Sequence, residues 1–75
     1  MHWYLILKAA RKLDPLTSYA LAGEVGTTVN IASAWLGKFC RWGYVVRVGS
    51  ARGARRWVRV YELTRWGRRF KPKKG

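Results

Sequence analysis

Four small or apolar residues in the middle of the chain constrain its fold most strongly: Ala22, Gly26, Ala32 and Leu36. Ala22 allows two helix backbones to approach closely, and Gly26 can end the first helix in the left-handed conformation without a Cβ penalty. Thr28 can cap a second helix by accepting a hydrogen bond from a backbone N–H two or three residues later. The pattern predicts a helix-turn-helix, and on these residues alone a groove-reading motif and an ordinary helical hairpin are equally good interpretations.

The positive charge of the sequence is concentrated in its second half. The formal net charge is +13 over 75 residues. Residues 1–40 hold four basic and two acidic residues, a balance of +2, and residues 41–75 hold twelve basic and one acidic residue, a balance of +11. Such a surface predicts a polyanionic partner, most commonly nucleic acid. An anionic membrane would need a basic amphipathic helix, whereas the basic half is typical of strands, so we expect no membrane partner.

Length and residue types exclude other classes of protein. The chain is long enough for one domain with a small core. No apolar run approaches the roughly 20 residues of a membrane span, and no signal-peptide pattern is present. The single cysteine, Cys40, excludes an internal disulfide and a thiolate metal site, and is more typical of a small core residue than of a redox sensor. The acidic residues Asp14, Glu24 and Glu62 are far apart in the chain, so we expect no enzyme, cofactor or small-molecule ligand.

The first half of the chain is predicted to be helical. Residues 2–13 have helical apolar spacing, and Asp14-Pro15 ends that helix before a very short strand at Leu16. Further helices are expected from Thr17 or Ser18 to about Val25, and from about Val29 to Arg41. The apolar surface of the first helix is wider than a small core needs, which indicates either a homodimer contact or side chains that cover the strands. The residues of that contact would be Trp3, Tyr4, Leu5 and Leu7.

The second half is predicted to contain a hairpin, a short helix and a tail. Strands are expected at 44–48 and 57–63, joined by a basic turn with two glycines at 49–56. Arg47 and Arg59 both flank the hairpin surface that would face a phosphate backbone. Thr64 is expected to cap a helix over 65–70, and residues 71–75 to form a disordered basic tail after a single domain over 1–70.

The outer side of the second motif helix carries mostly small side chains. Asn30 can bond an adenine edge in bidentate fashion, although a plain surface residue in the first helical turn is an equally good interpretation. Lys38 and Arg41 are placed for phosphates. Gly37 lowers helix stability relative to Ala, which indicates a close backbone contact with protein or with DNA. The full predicted face is Thr28, Asn30, Ser33, Ala34, Gly37, Lys38 and Arg41.

The order of these elements resembles the winged helix-turn-helix family of DNA-binding domains, especially compact MarR-like and ArsR-like regulators and small archaeal DNA-binding proteins. Three passages carry the resemblance, and they cover nearly the whole chain. They are the Ala22-Gly26-Ala32-Leu36 framework, the passage from Phe39 to Val45 (FCRWGYV) and the passage from Tyr61 to Gly67 (YELTRWG).

The resemblance implies an α+β fold with three helices, a two-stranded wing and a short C-terminal helix. It also implies a recognition helix around 28–41 in the major groove and a wing at about 49–56 on the backbone or minor groove. Arg52, Arg55 and Arg56 would form the basic tip of that wing, unless they are only a solvated charged turn.

Double-stranded DNA binding is therefore the leading expectation, as a small transcription regulator or a chromatin-like architectural protein of the cytoplasm that is associated with the nucleoid. The first alternative is an RNA- or ribosome-binding protein, in which Tyr44, Trp57 and Tyr61 would stack on unpaired bases if they are exposed. We expect most of the five tryptophans to be at least half buried, which weighs against it. The second alternative is a protein–protein adaptor with an acidic partner.

Overall fold

The fold consists of four helices and one antiparallel hairpin, in a computed structural model that describes residues 2–52 and 57–71. The sheet has two strands in the described ranges, and the class is α+β as expected. The elements in chain order are α1 (Trp3–Arg11), α2 (Ser18–Val25), α3 (Val29–Trp42), β1 (Val45–Arg52), β2 (Trp57–Leu63) and α4 (Arg65–Arg69).

The turn between α2 and α3 forms as its residue types predict. Gly26 ends α2 with a φ of 81°, in the left-handed region, and its N–H donates to the Ala22 carbonyl oxygen at 2.9 Å. The Thr28 hydroxyl accepts a hydrogen bond from the Ile31 N–H at 3.2 Å and so caps α3. Thr17 caps α2 in the same way through the Ala20 N–H. These contacts confirm the predicted turn at Gly26 and the predicted caps at Thr17 and Thr28.

The first helix is shorter than the predicted 2–13. His2 is its N-cap, with Nδ1 accepting from the Tyr4 N–H at 3.2 Å, and Lys12 is its C-cap. The α-helix ends early because its last turn tightens: the Lys12 and Leu13 N–H groups donate to the Ala9 and Ala10 carbonyl oxygens, three residues earlier, at 3.1 and 3.2 Å. Leu16 then forms the expected short strand as a single bridge, in which the Tyr61 N–H donates to the Leu16 carbonyl oxygen at 2.8 Å.

The core lies where α1, α2 and α3 meet the base of the hairpin. Leu7, Leu21, Leu36 and Phe39 are fully buried. The complete cluster adds residues from each neighbouring element: Ile6, Ala10, Leu16, Ala22, Ala32, Val45 and Leu63. Because Leu7 is part of this core, it cannot take part in the predicted dimer contact. Trp3 and Tyr4 pack against Phe70, with ring centroids 5.2 and 6.0 Å apart, which leaves Leu5, 54% exposed, as the most exposed of the four residues predicted for that contact.

The hairpin is longer than the sequence pattern predicts. Strand β1 continues to Arg52, so residues 49–52 belong to the strand and not to the turn. The prediction failed because Gly49 and Ser50 favour a turn on their own, whereas pairing with β2 supplies their hydrogen bonds in the fold. A bulge between Arg47 and Gly49 leaves Val48 without a partner and shifts the register, which then continues as far as Arg52 opposite Trp57.

Helix α4 closes the structure against the start of the hairpin. The Thr64 hydroxyl donates to the Gly43 carbonyl oxygen at 2.6 Å and accepts from the Gly67 N–H at 3.0 Å, which confirms the predicted cap. Gly67 is buried, and a Cβ at this position would collide with the backbone oxygen of Tyr44. Only glycine allows α4 to lie this close to the chain at Tyr44. Most of the expected tail, 72–75, lies outside the described residues.

Candidate nucleic-acid interface

The outward side of α3 presents the small residues that the sequence assigned to it. At 3.6 residues per turn, Asn30, Ala34, Gly37 and Arg41 follow one line along the helix, on the side opposite the buried Phe39. Gly37 is half-buried and the other three are exposed. We call this line the α3 stripe. The remaining predicted α3-face residues are also exposed: Thr28, Ser33 and Lys38.

Two of these flanking side chains have contacts within the protein. The Thr28 hydroxyl is the N-cap of α3, so its oxygen is already hydrogen-bonded. The Lys38 ammonium lies 4.6 Å from the centroid of the Trp35 ring, a cation–π arrangement. Lys38 is therefore held at one side of the α3 stripe, while Arg41 extends it at the C-terminal end.

Gly37 has no packing reason to be glycine in the described part of the chain. A Cβ built on Gly37 meets no atom within 4 Å. The expected close contact of this residue with protein is therefore not made by any described residue of its own chain. Glycine lowers helix stability by about 1 kcal/mol relative to Ala. Gly23 in α2 is equally open, so an open Cβ position does not by itself identify a contact with a partner.

The register of the hairpin brings three arginines to one face. Residues directly opposite each other in an antiparallel pair lie on the same face, and alternate residues along a strand do so too. Arg47 is opposite Tyr61, Ser50 opposite Arg59, and Arg52 opposite Trp57. We call the face with Arg47, Arg52, Arg59 and Trp57 the basic hairpin face.

Among the described residues, no carboxylate is hydrogen-bonded to the arginines of the basic hairpin face. All three are exposed. Within residues 2–52 and 57–71, the one hydrogen bond from these side chains is from Arg47 to the Ser50 hydroxyl at 3.3 Å. Exposed cations on one face with no acidic partner among the described residues repel one another, most strongly where they are close, so a bound anion would stabilise their arrangement. The predicted tip residues Arg55 and Arg56 lie outside the described residues.

Sequence reasoning missed one residue beside the α3 stripe. Ile31 is 48% exposed although it is apolar and follows Asn30 directly. With Val25, Thr27 and Trp35 it lines a shallow hollow of about 350 Å³. Its position outside the buried spacing of α3 was the available signal, since an isoleucine off the core side of a helix must lie at least partly in solvent.

Other chemistry has no equivalent support in the described ranges. No group of three or more His, Cys, Asp or Glu side chains there is placed to hold a metal ion. Burial raises the pKa of the Cys40 thiol, which keeps it protonated and weakly nucleophilic at neutral pH. None of the described helices combines the length and apolar character needed to span a membrane. Comparison with protein-family models, curated proteins and solved structures finds no match to this chain.

Proposed function

We propose that this protein binds double-stranded DNA, with the α3 stripe in the major groove and the basic hairpin face on the phosphate backbone or minor groove. The observation that carries the proposal is the α3 stripe itself. It is a line of small, amide and basic side chains on the outward side of the second helix of a helix-turn-helix, exposed at Asn30, Ala34 and Arg41. An α-helix fits the major groove, and small side chains let its backbone approach the base edges closely.

Asn30 and Arg41 have different roles in this proposal: Asn30 contacts a base, and Arg41 contacts a phosphate. Asn30 is exposed in the first turn of α3, and an Asn side chain can bond adenine N6 and N7 together. Arg41 is exposed in the last turn, where its guanidinium reaches toward a phosphate. One amide on an otherwise small surface supports modest sequence selectivity, with most of the affinity coming from phosphates.

The basic hairpin face supplies the larger electrostatic contribution in this proposal. Arg47, Arg52 and Arg59 are exposed cations on one surface, and each phosphate they neutralise releases a condensed counterion. Affinity then falls linearly with salt on a log–log plot, with a slope of about −0.9 per phosphate contact. This dominance of phosphate contacts supports an architectural role somewhat more than that of a highly selective regulator.

The proposal is tested by measuring affinity for a random duplex of about 25 base pairs, longer than two turns of B-DNA. Fluorescence anisotropy at increasing salt is compared for duplex DNA, single-stranded DNA and duplex RNA. We expect the tightest binding to duplex DNA, with a steep salt dependence. Equal or tighter binding to RNA would support the RNA-binding alternative. No binding to any of the three nucleic acids at low salt would contradict the proposal and favour a protein–protein adaptor with an acidic partner.

Base readout by Asn30 has its own test. Preferred sites are selected from a random duplex library with wild-type protein and with Asn30→Ala. The substitution leaves the Thr28 cap of α3 in place, so folding should be preserved. We expect the variant to lose preference for an adenine at one position. An unchanged site preference would show that Asn30 is a plain surface residue.

A further inference from the structure

Trp57 is the most exposed large apolar side chain among the described residues, at 68%. It begins β2, six residues before Leu63, the strand residue that reaches the core. At about 3.3 Å per residue, this places Trp57 roughly 20 Å along the strand from the core. An indole held so far from the core adds little to the burial that stabilises the fold.

The surroundings of Trp57 are basic and not aromatic. Arg52 is its cross-strand partner, and Arg59 lies on the same face two residues further along β2. In the described part of the chain, no aromatic ring or cation lies against the indole, although ring pairs and cation–π contacts are frequent elsewhere. Its ring is therefore free of described partners, and arginines occupy the cross-strand position and the next position of β2 on the same face.

Trp66 is also highly exposed, but it packs against another aromatic ring, which Trp57 does not do among the described residues. It is 60% exposed, but its ring packs against Phe70 at 6.4 Å between centroids and it belongs to α4. Trp66 thus has a role in the aromatic contacts of the fold, while Trp57 has none in the described residues. The pair gives a natural comparison of two exposed tryptophans in one basic protein.

We propose that Trp57, between Arg52 and Arg59, is a base-stacking site that takes an unstacked nucleobase from duplex DNA. The indole face stacks on the base, and the two guanidiniums bind the phosphates on either side of it. This inference rests on the proposed binding of double-stranded DNA. It adds a substrate preference: the protein binds a duplex that contains an unpaired base more tightly than a fully paired one, because the cost of unstacking is already met.

The stacking site predicts the size of that preference. Stacking of a base on an aromatic side chain changes affinity by roughly five- to a hundredfold. The wild-type protein should therefore bind a duplex with one bulged base at least several-fold more tightly than the matched duplex. Trp57→Ala should remove this difference, Trp57→Phe should keep part of it, and Trp66→Ala should keep all of it.

The experiment measures the affinities of these four proteins for the matched and bulged DNA duplexes at one salt concentration, with 2-aminopurine as the bulged base. The wild type is also measured against the same matched and bulged pair in RNA. Quenching of 2-aminopurine fluorescence reports stacking directly, and circular dichroism confirms that each variant is folded. We expect quenching with the wild type and with the Trp57→Phe and Trp66→Ala variants, and none with Trp57→Ala.

Four results would overturn the inference, and the first three do so without affecting the proposed function. If wild type binds the matched duplex in a salt-dependent way but shows no preference or quenching at the bulge, the stacking site alone is wrong. The stacking site is also wrong if folded Trp57→Ala keeps the preference and the quenching, or if the preference appears for bulged RNA and not for bulged DNA. If wild type binds neither DNA duplex, the proposed function fails and the inference fails with it.

Discussion

Arg11 donates a hydrogen bond from Nε to the carbonyl oxygen of Gly67 at 2.9 Å and so joins the first helix to the last. The same guanidinium donates from Nη2 to the carbonyl oxygen of Phe70. A cation at the C-terminal end of α4 satisfies carbonyl groups that have no partner within the helix. From composition alone, Arg11 would be counted as part of the surface charge. In the structure it holds α1 against α4.

Replacement of Arg11 should destabilise the fold. In Arg11→Met the apolar stem is kept, but two charge-assisted hydrogen bonds to backbone oxygens are lost. We expect a fall of about 2 kcal/mol in the free energy of unfolding, measured by urea denaturation followed by tryptophan fluorescence. Lys12→Met removes the same charge from an exposed neighbour and is the control. Equal stability of the two variants would contradict the role of Arg11.

The tight approach of α4 to Tyr44 should make Gly67 intolerant of a side chain. A Cβ at Gly67 would collide with the Tyr44 carbonyl group and lie 2.8 Å from Leu63 Cδ1. We expect Gly67→Ala to lower the free energy of unfolding by about 3 kcal/mol. In Gly23→Ala the new Cβ meets nothing within 4 Å, so that variant should become more stable by up to about 1 kcal/mol. Thermal denaturation of both variants measures the difference.

Substitutions at Gly37 test protein stability and DNA binding separately. Its Cβ position is open, so Gly37→Ala should raise the free energy of unfolding by up to about 1 kcal/mol. If the α3 stripe lies against DNA, the larger Gly37→Leu should lower affinity at least several-fold while the protein stays folded. Gly23→Leu, at an exposed position of α2, is the matched control and should leave affinity unchanged. Full affinity in folded Gly37→Leu would contradict a close groove contact.

The basic hairpin face should account for part of the salt dependence. Each lost phosphate contact lowers the log–log salt slope by about 1, so replacing Arg47, Arg52 and Arg59 by Ala should reduce it by about 3. The control removes the same charge from α4 by replacing Arg65, Arg68 and Arg69, which are also exposed. Equal slopes for the two triple variants would indicate that net charge acts without a defined surface.

Cys40 should behave as a partly buried thiol. Because burial raises its pKa, the thiolate fraction near neutral pH is small in the folded protein. We expect alkylation by iodoacetamide to be slower in the native state than in urea, and to speed up as pH rises toward the thiol pKa. Native alkylation as fast as in urea would be inconsistent with this environment.

Much of the fold could be predicted because local chemistry and tertiary contacts agree. Gly26, Thr28 and Thr64 each perform in the structure the function that their residue type suggests at a helix end. The spacing of Ala32, Leu36 and Phe39 identified the buried side of α3. Three tryptophans are at least half buried, as expected for most of the five, while Trp57 and Trp66 are not.

The remaining features depend on contacts that are distant in the sequence. The extension of β1 to Arg52 arises from pairing with Trp57 and not from the residues of β1 themselves. From the sequence alone, Leu7 could not be recognised as a buried residue and not part of an exposed apolar stripe on α1, because the residues that bury it lie on other elements. The hydrogen bonds of Arg11 reach residues at least 56 positions away in the sequence, and no local sequence pattern predicts them. The DNA-binding roles of both surfaces stay predictions.

The most direct test of these roles is a map of backbone amide chemical shifts during titration with duplex DNA. Our account predicts that the largest changes follow the α3 stripe, from Asn30 to Arg41, and the basic hairpin face, including Arg52 and Trp57. Amides on the solvent side of α1, around Leu5, should change little. Changes concentrated on α1 or α4, with α3 and the hairpin unaffected, would contradict it.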